Sequence, residues 1–134
     1  RAIARAFEQT GGAWLGDRGV TAAGGKVYIF GATGLQDSAE VSTEASRCLL
    51  LVHFPDFVQR PIEGRFDLIL AGHSHGGQVR LPFLGPSILP PRVGNYDRGL
   101  YQTRLGPLYV NPGIGTYGSP IRFLCRPEIT VISV

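Results

Sequence analysis

Methionine is absent from all 134 residues. An open reading frame begins with one, so Arg1 marks a processing site or a truncation, and truncation is the expectation carried forward. No run approaches the roughly 18 apolar residues of a membrane-spanning helix, which excludes a helical span within this stretch. Lysine is nearly missing: twelve arginines and a single lysine set against ten carboxylates give a net charge of +3. The arginines are scattered, with no basic block and no aromatic-interleaved stripe, so there is no clear nucleic-acid footprint. The two cysteines, Cys48 and Cys125, match no Cys-x-x-Cys metal or redox motif and sit in apolar runs, where buried free thiols are expected. No signal peptide is visible, and the compartment, cytoplasmic or membrane-associated and exported, stays open.

What remains is a hydrophobic content of 43% with 17% charged residues, the balance of a soluble globular domain. Neither a repeat nor a linker divides it. "RAIARAFEQTGG" predicts a short helix over residues 1 to 10 with a glycine stop. "AWLGDRGVTAAGGKVYIFG" predicts a hairpin about Gly24-Gly25. Two continuous apolar runs, "CLLLVHF" at 48 to 54 and "FDLILAGH" at 66 to 73, suit strands buried on both faces. Pro55-Asp56 opens a short turn or helix between them. The Pro/Gly-rich "GQVRLPFLGPSILPPRVGNYDRG" reads as a long binding loop. "LYQTRLGPLYVNPG" reads as a hairpin around Gly106-Pro107, and "PIRFLCRPEITVISV" as one or two closing strands. The fold class is α/β, dominated by strands.

Gly72-His73-Ser74-His75-Gly76 fits Gly-x-Ser-x-Gly, the strand-to-helix turn that exposes a nucleophilic serine. That reading needs a helix after the serine and a histidine base downstream. "GQVRLP" is strand-like and stopped by proline, and all three histidines, His53, His73 and His75, lie at or before residue 75. Ser74 is therefore expected to be a small polar turn residue. "VYIFGATGLQDS" resembles a dinucleotide-binding turn, but Asp37 stands where the third glycine is required.

A metal site accounts for the histidines together. His53 ends one buried run and His73 and His75 end the next. If those strands are parallel neighbours, three imidazoles gather at their carboxyl ends, where open α/β sheets place their sites. The glycine-flanked turn lets His73 and His75 diverge toward different ions, which suits two-metal sites with ions about 3.5–4 Å apart.

"LLLVHFPD" followed by "FDLILAGHSHGGQVRLP", with "GLY", "NPGIG" and "PIRFLCRPEI" further on, resembles the last two metal motifs of the calcineurin-like metallophosphoesterases. The likeness is to the bacterial branch with Gly-His-Thr/Ser-His-Gly-Gly-Gln. It implies the C-terminal half of a sandwich of two packed β-sheets flanked by helices, with residues 1–134 forming part of a single domain. It further implies two divalent ions, Mn, Fe, Zn or similar, with His53 and His73 on one and His75 on the other. The family's remaining ligands and its catalytic general-acid histidine would lie upstream of Arg1. The implied reaction is hydrolysis of a phosphate ester, in particular a diester, that is small or lipid-linked. Peripheral membrane association stays open. On this reading the stretch alone would be inactive, and its buried runs would lack neighbouring strands. The rival class is a non-catalytic binding or regulatory module that keeps the fold and at most one metal.

Other polar residues are secondary candidates. Gln78 and Arg80 follow the metal loop, and guanidinium suits phosphate, although a solvated face is an equal reading. Asp56 is a candidate to orient a ligand histidine, against an ordinary turn. Asn111 opens an Asn-Pro-Gly turn near the site. Tyr96 and Asp97 lie in the long loop.

Overall fold

The computed structural model describes residues 2–133. The helix α1 (Ala2–Gln9) precedes β1 (Arg18–Ala22) and β2 (Val27–Ala32), which pair antiparallel across a 3-10 turn at Ala23–Gly25. The expected hairpin is present. β3 (Arg47–Val52) and β4 (Leu68–Ala71) follow, joined through a 3-10 turn at Pro55–Gln59. β5 (Arg80–Leu81) and β6 (Gly85–Pro86) form a two-stranded ribbon inside the long loop. β7 (Gly99–Thr103) and β8 (Gly106–Val110) close the main sheet, whose order is β1-β2-β3-β4-β8-β7.

The sheet is mixed. β2, β3, β4 and β8 run parallel, and β1 and β7 flank them antiparallel. This strand-dominated arrangement, a mixed sheet with few helices, is consistent with the part of a sandwich that the resemblance implies. The apolar runs become the central strands because every second side chain faces a core that can absorb it. Leu50, Ile69, Leu108 and Val110 are each wholly buried there, together with Phe30, Val52, Phe57 and Phe66. Each such side chain stabilises the fold by roughly 1.5–3 kcal/mol. Asp67 fixes the entry of β4: its carboxylate accepts from Cys48 N at 2.7 Å, and its own N–H donates to Cys48 O at 2.8 Å.

Three expectations are corrected. β3 and β4 do not lack neighbours, because β2 covers one side and β8 the other. The last hairpin turns at Arg104-Leu105, with Gly106 as the first residue of β8. Gly106 has φ +131, and a Cβ there would stand 2.1 Å from Phe66 O, so close approach of the neighbouring backbone explains the glycine. Finally, the closing strands over 120–134 do not form among the described residues. Pro120 and Pro127 remove donors, and the only pairing is an isolated parallel bridge between Val79 and Phe123. The described cysteines are free and buried, as expected.

Candidate metal centre

Parallel pairing of β3 with β4 places their carboxyl ends side by side. His53 directly follows β3, and Gly72 and His73 follow β4. The His53 and His73 rings lie 4.8 Å apart. Phe54 packs edge-on against both, at 4.6 Å and 4.7 Å. His75 sits across the turn and faces Tyr117 at 6.3 Å. All three imidazoles line one cavity of about 910 Å³.

The turn between them is held in an uncommon conformation. His73, His75 and Gln78 have φ of +67, +50 and +50, values that L-residues with bulky side chains rarely adopt. Such strain persists only where the surroundings enforce it, and it clusters at functional sites. Here Ser74, only 1% exposed, accepts from Gly76 N at 3.1 Å. Gly76 has φ +60 with the Cys125 thiol 2.6 Å from where a Cβ would be. Ser74 is thus a turn residue, as expected from the chain order, and no helix follows it. The 3-10 turn His75–Gly77 leads instead to Gln78.

Each ring nitrogen contact defines a lone pair. His73 Nε2 lies 2.9 Å from Pro91 O, and His75 Nδ1 lies 3.4 Å from Gly115 O. A carbonyl only accepts, so the hydrogen sits on those nitrogens. Nδ1 of His73 and Nε2 of His75 are then the nitrogens left with lone pairs in the neutral rings. A backbone carbonyl on the second nitrogen is the usual orientation device for a metal-ligating histidine. Burial, and after it the neighbouring His73, Arg92 and His75, push the pKa of His53 below the ordinary histidine value. It is therefore neutral at physiological pH, the form a metal binds. The donor chemistry suits divalent ions. The set is nonetheless incomplete, because among the described residues no group of three or more His, Cys, Asp or Glu gathers closely enough to hold one.

The secondary candidates are tied into the surrounding loops. Asp56 pairs with Arg92 at 3.3 Å, and the Arg92 guanidinium stacks 4.0 Å over the Phe54 ring that abuts both histidines. Asp56 therefore reaches the imidazoles through two intermediaries. Arg80 is engaged by Asp97 and donates to Gly76 O at 3.0 Å. Gln78 donates to Tyr117 O at 3.0 Å and accepts from Tyr117 N. The alternating strand that would place Gln78 and Arg80 on one face with Gly76 is not formed, since β5 begins only at Arg80. Asn111 accepts from Gly113 N at 2.6 Å and donates to Thr130 at 2.9 Å, an ordinary Asx turn. Tyr96 packs on Tyr101 at 5.1 Å. The Tyr101 hydroxyl donates to Asp97 at 2.6 Å.

Arg122 is a functional-site residue that no motif pointed to. Its guanidinium donates to the carbonyls of His75, Pro112, Gly113, Gly115 and Cys125. It thus binds the His75 turn to the chain after β8. An isolated arginine in "PIRFLC" carries no spacing signal that could have revealed this.

Comparison with known proteins finds similarity to phosphoesterases. An uncharacterized metallophosphoesterase of Bacillus subtilis, YkuE, is 48% identical over 86 residues, covering 64% of this chain and 30% of that protein. The phosphodiesterase YaeI of Escherichia coli is 37% identical over 87 residues, covering 64% and 32%. Proteins named metallophosphoesterase or phosphodiesterase are thus similar to about two thirds of this chain. A transmembrane protein with metallophosphoesterase domain from Bos taurus is 39% identical over 85 residues, covering 61% of this chain and 18% of that one. Proteins similar to this chain thus extend beyond bacteria. The chain spans about a third of the length of the first two. No family model and no solved structure matches it.

Proposed function

We propose that this chain is the imidazole-bearing part of a dimetal phosphodiesterase whose other ligands lie outside residues 1–134. One observation carries the reading: His53 and His73 stand 4.8 Å apart at the ends of adjacent parallel strands, with His75 on the wall of the same cavity. His53 and His73 would hold one divalent ion and His75 a second. When bound, such ions supply Lewis-acid polarisation of phosphoryl oxygens and an acidified water. The chain's own residues orient the ligands. Pro91 O and Gly115 O direct the two lone pairs, Phe54 and Arg92 support the histidine pair, and Arg122 and Cys125 anchor the turn.

Gln78 is assigned to shaping the cavity wall, with its amide bound to Tyr117, and Arg80 to bracing the histidine turn through Gly76 O while paired with Asp97. The name of the Escherichia coli relative supports a diester substrate. A second reading, a module binding at most one ion without catalysis, is favoured by the lack of any three-residue ligand group among the described residues. Turnover of a chromogenic aryl phosphodiester by the full-length protein with added Mn²⁺ separates the two. Turnover lost in His73→Ala supports the enzyme, and its absence in wild type supports the module.

A further inference from the structure

The turn that carries His75 is held by its carbonyls. His75 O accepts from Arg122 at 3.3 Å and Gly76 O from Arg80 at 3.0 Å, and the Cys125 thiol donates to the same two oxygens at 3.4 Å and 3.5 Å. None of these three donors lines the histidine cavity, so the turn is gripped from outside it. The grip matters because Gly76 and Gly77 follow the imidazole. Glycine populates φ on both sides of zero about equally, so a Gly-Gly pair gives the backbone beyond His75 no preferred direction of its own. Bonds to the carbonyls must supply it.

Arg80 is in turn fixed from the main sheet. Its Nη1 donates both to Gly76 O and to the Asp97 carboxylate. The other Asp97 oxygen accepts from the Tyr101 hydroxyl at 2.6 Å, and that hydroxyl accepts from the N–H groups of Asp97 at 3.1 Å and Arg98 at 3.3 Å. Tyr101 stands on β7, at the edge of the main sheet, and packs against the core. A continuous polar chain therefore runs from the sheet through Tyr101, Asp97 and Arg80 to the carbonyl next to His75. The Arg80 and Asp97 side chains are only 16% and 20% exposed, which separates this pair from a solvated surface ion pair of little energetic weight. Among the described residues, no hydrogen bond or ion pair of Arg80, Asp97 or Tyr101 side chains reaches His53, His73, Phe54 or Arg92. His73 is held by Pro91 O and Arg92 by Asp56 instead.

We propose that Asp97 and Tyr101 are positioning residues for His75: acting through Arg80, they orient its imidazole and so govern the ion on His75 independently of the ion on His53 and His73. The second ion rests on the dimetal reading above; the orientation of the ring does not. The test uses the full-length protein and two readouts. In chelator-treated protein, the imidazole NMR signals are assigned with His53→Ala, His73→Ala and His75→Ala. The His75 signal should move in Asp97→Asn, Arg80→Gln and Tyr101→Phe, while those of His53 and His73 stay in place. In calorimetric Mn²⁺ titration wild type should bind two ions, and each variant should keep one affinity and lose roughly tenfold or more in the other. Tyr101→Phe removes a single oxygen and keeps the packed ring, so it serves where Asp97→Asn fails to fold. Because the three residues act in series, Asp97→Asn combined with Arg80→Gln should cost no more than Arg80→Gln alone. Equal movement of all three rings, no movement of His75, parallel loss of both ions, or additive losses in the double variant would overturn the proposal. One ion in wild type, with His75 still moving alone in the variants, would support the positioning role and count against the dimetal reading alone.

Discussion

The rings of His53 and His73 lie 4.8 Å apart, although twenty positions separate them in the chain, because β3 and β4 are adjacent and parallel. Their nearness follows from the register of two buried strands, and it fixes what each substitution should do. In the full-length protein, His53→Ala and His73→Ala should each lower Mn²⁺ affinity and phosphodiester turnover by roughly 100-fold or more, since loss even of an outer orienting partner costs 10–100-fold. Ser74→Ala should keep turnover within a few fold and lose about 1 kcal/mol of stability with its hydrogen bond to Gly76 N. Steady-state kinetics and calorimetric metal titration check both. Comparable loss in Ser74→Ala would revive a serine nucleophile.

Arg92 tests the outer support. Arg92→Ala removes the stack on Phe54 and leaves Asp56 unpaired. Mn²⁺ affinity should fall roughly tenfold, and Arg92→Lys should recover part of it, because an ammonium keeps the cation over the ring but not the planar fork. Unchanged metal affinity in Arg92→Ala would remove this residue from the site.

Acid titration tests the Arg80–Asp97 pair. Burial alone would raise the Asp97 carboxyl, but the Tyr101 hydroxyl and Arg80 outweigh it and hold it below its ordinary value of 3.8. A folded pKa below the unfolded one means that the contribution is complete above 3.8 and is lost as pH falls through the lower folded value. Asp97→Asn should cost about 1–3 kcal/mol near neutrality. The gap from wild type should narrow as the solution is acidified. Urea unfolding across that range measures it, and a gap independent of pH would contradict the assignment.

Gly76→Ala should disturb the histidine turn without touching a ligand. The backbone there is at φ +60, and the new methyl would meet the Cys125 thiol. A loss of about 1–3 kcal/mol is expected, together with weakened metal binding. Adding Cys125→Ser should restore little, because the backbone strain remains.

Much of this was legible in the sequence where one physical cause dominated. Continuous apolar runs gave the central strands, Gly24-Gly25 gave the first hairpin, and histidines at the ends of both runs gave the shared cavity. Long-range contacts were not legible. Residues 120–133 have strand-forming composition, but prolines at 120 and 127 and the demand of Arg122 for carbonyls leave them irregular. The free guanidinium expected at Arg80 is held by Asp97, a partner seventeen positions away that no local pattern could supply. Asp56 was read as a turn or a ligand support; it opens the 3-10 turn and also pairs with Arg92 across 36 positions.

The stretch of residues 1–134 by itself should bind at most one divalent ion, weakly and through His53 and His73, and should not turn over a phosphodiester. Two ions kept through dialysis would mean that a carboxylate within the stretch completes the site, with Asp37 and Asp56 the first to substitute.

The most direct measurement is the metal content of the full-length protein after dialysis, paired with phosphodiester turnover, in wild type and in His53→Ala, His73→Ala and His75→Ala. Wild type should retain divalent metal and turn over, and each variant should lose metal and rate together. Variants that keep both would show that these three imidazoles are not the ligands.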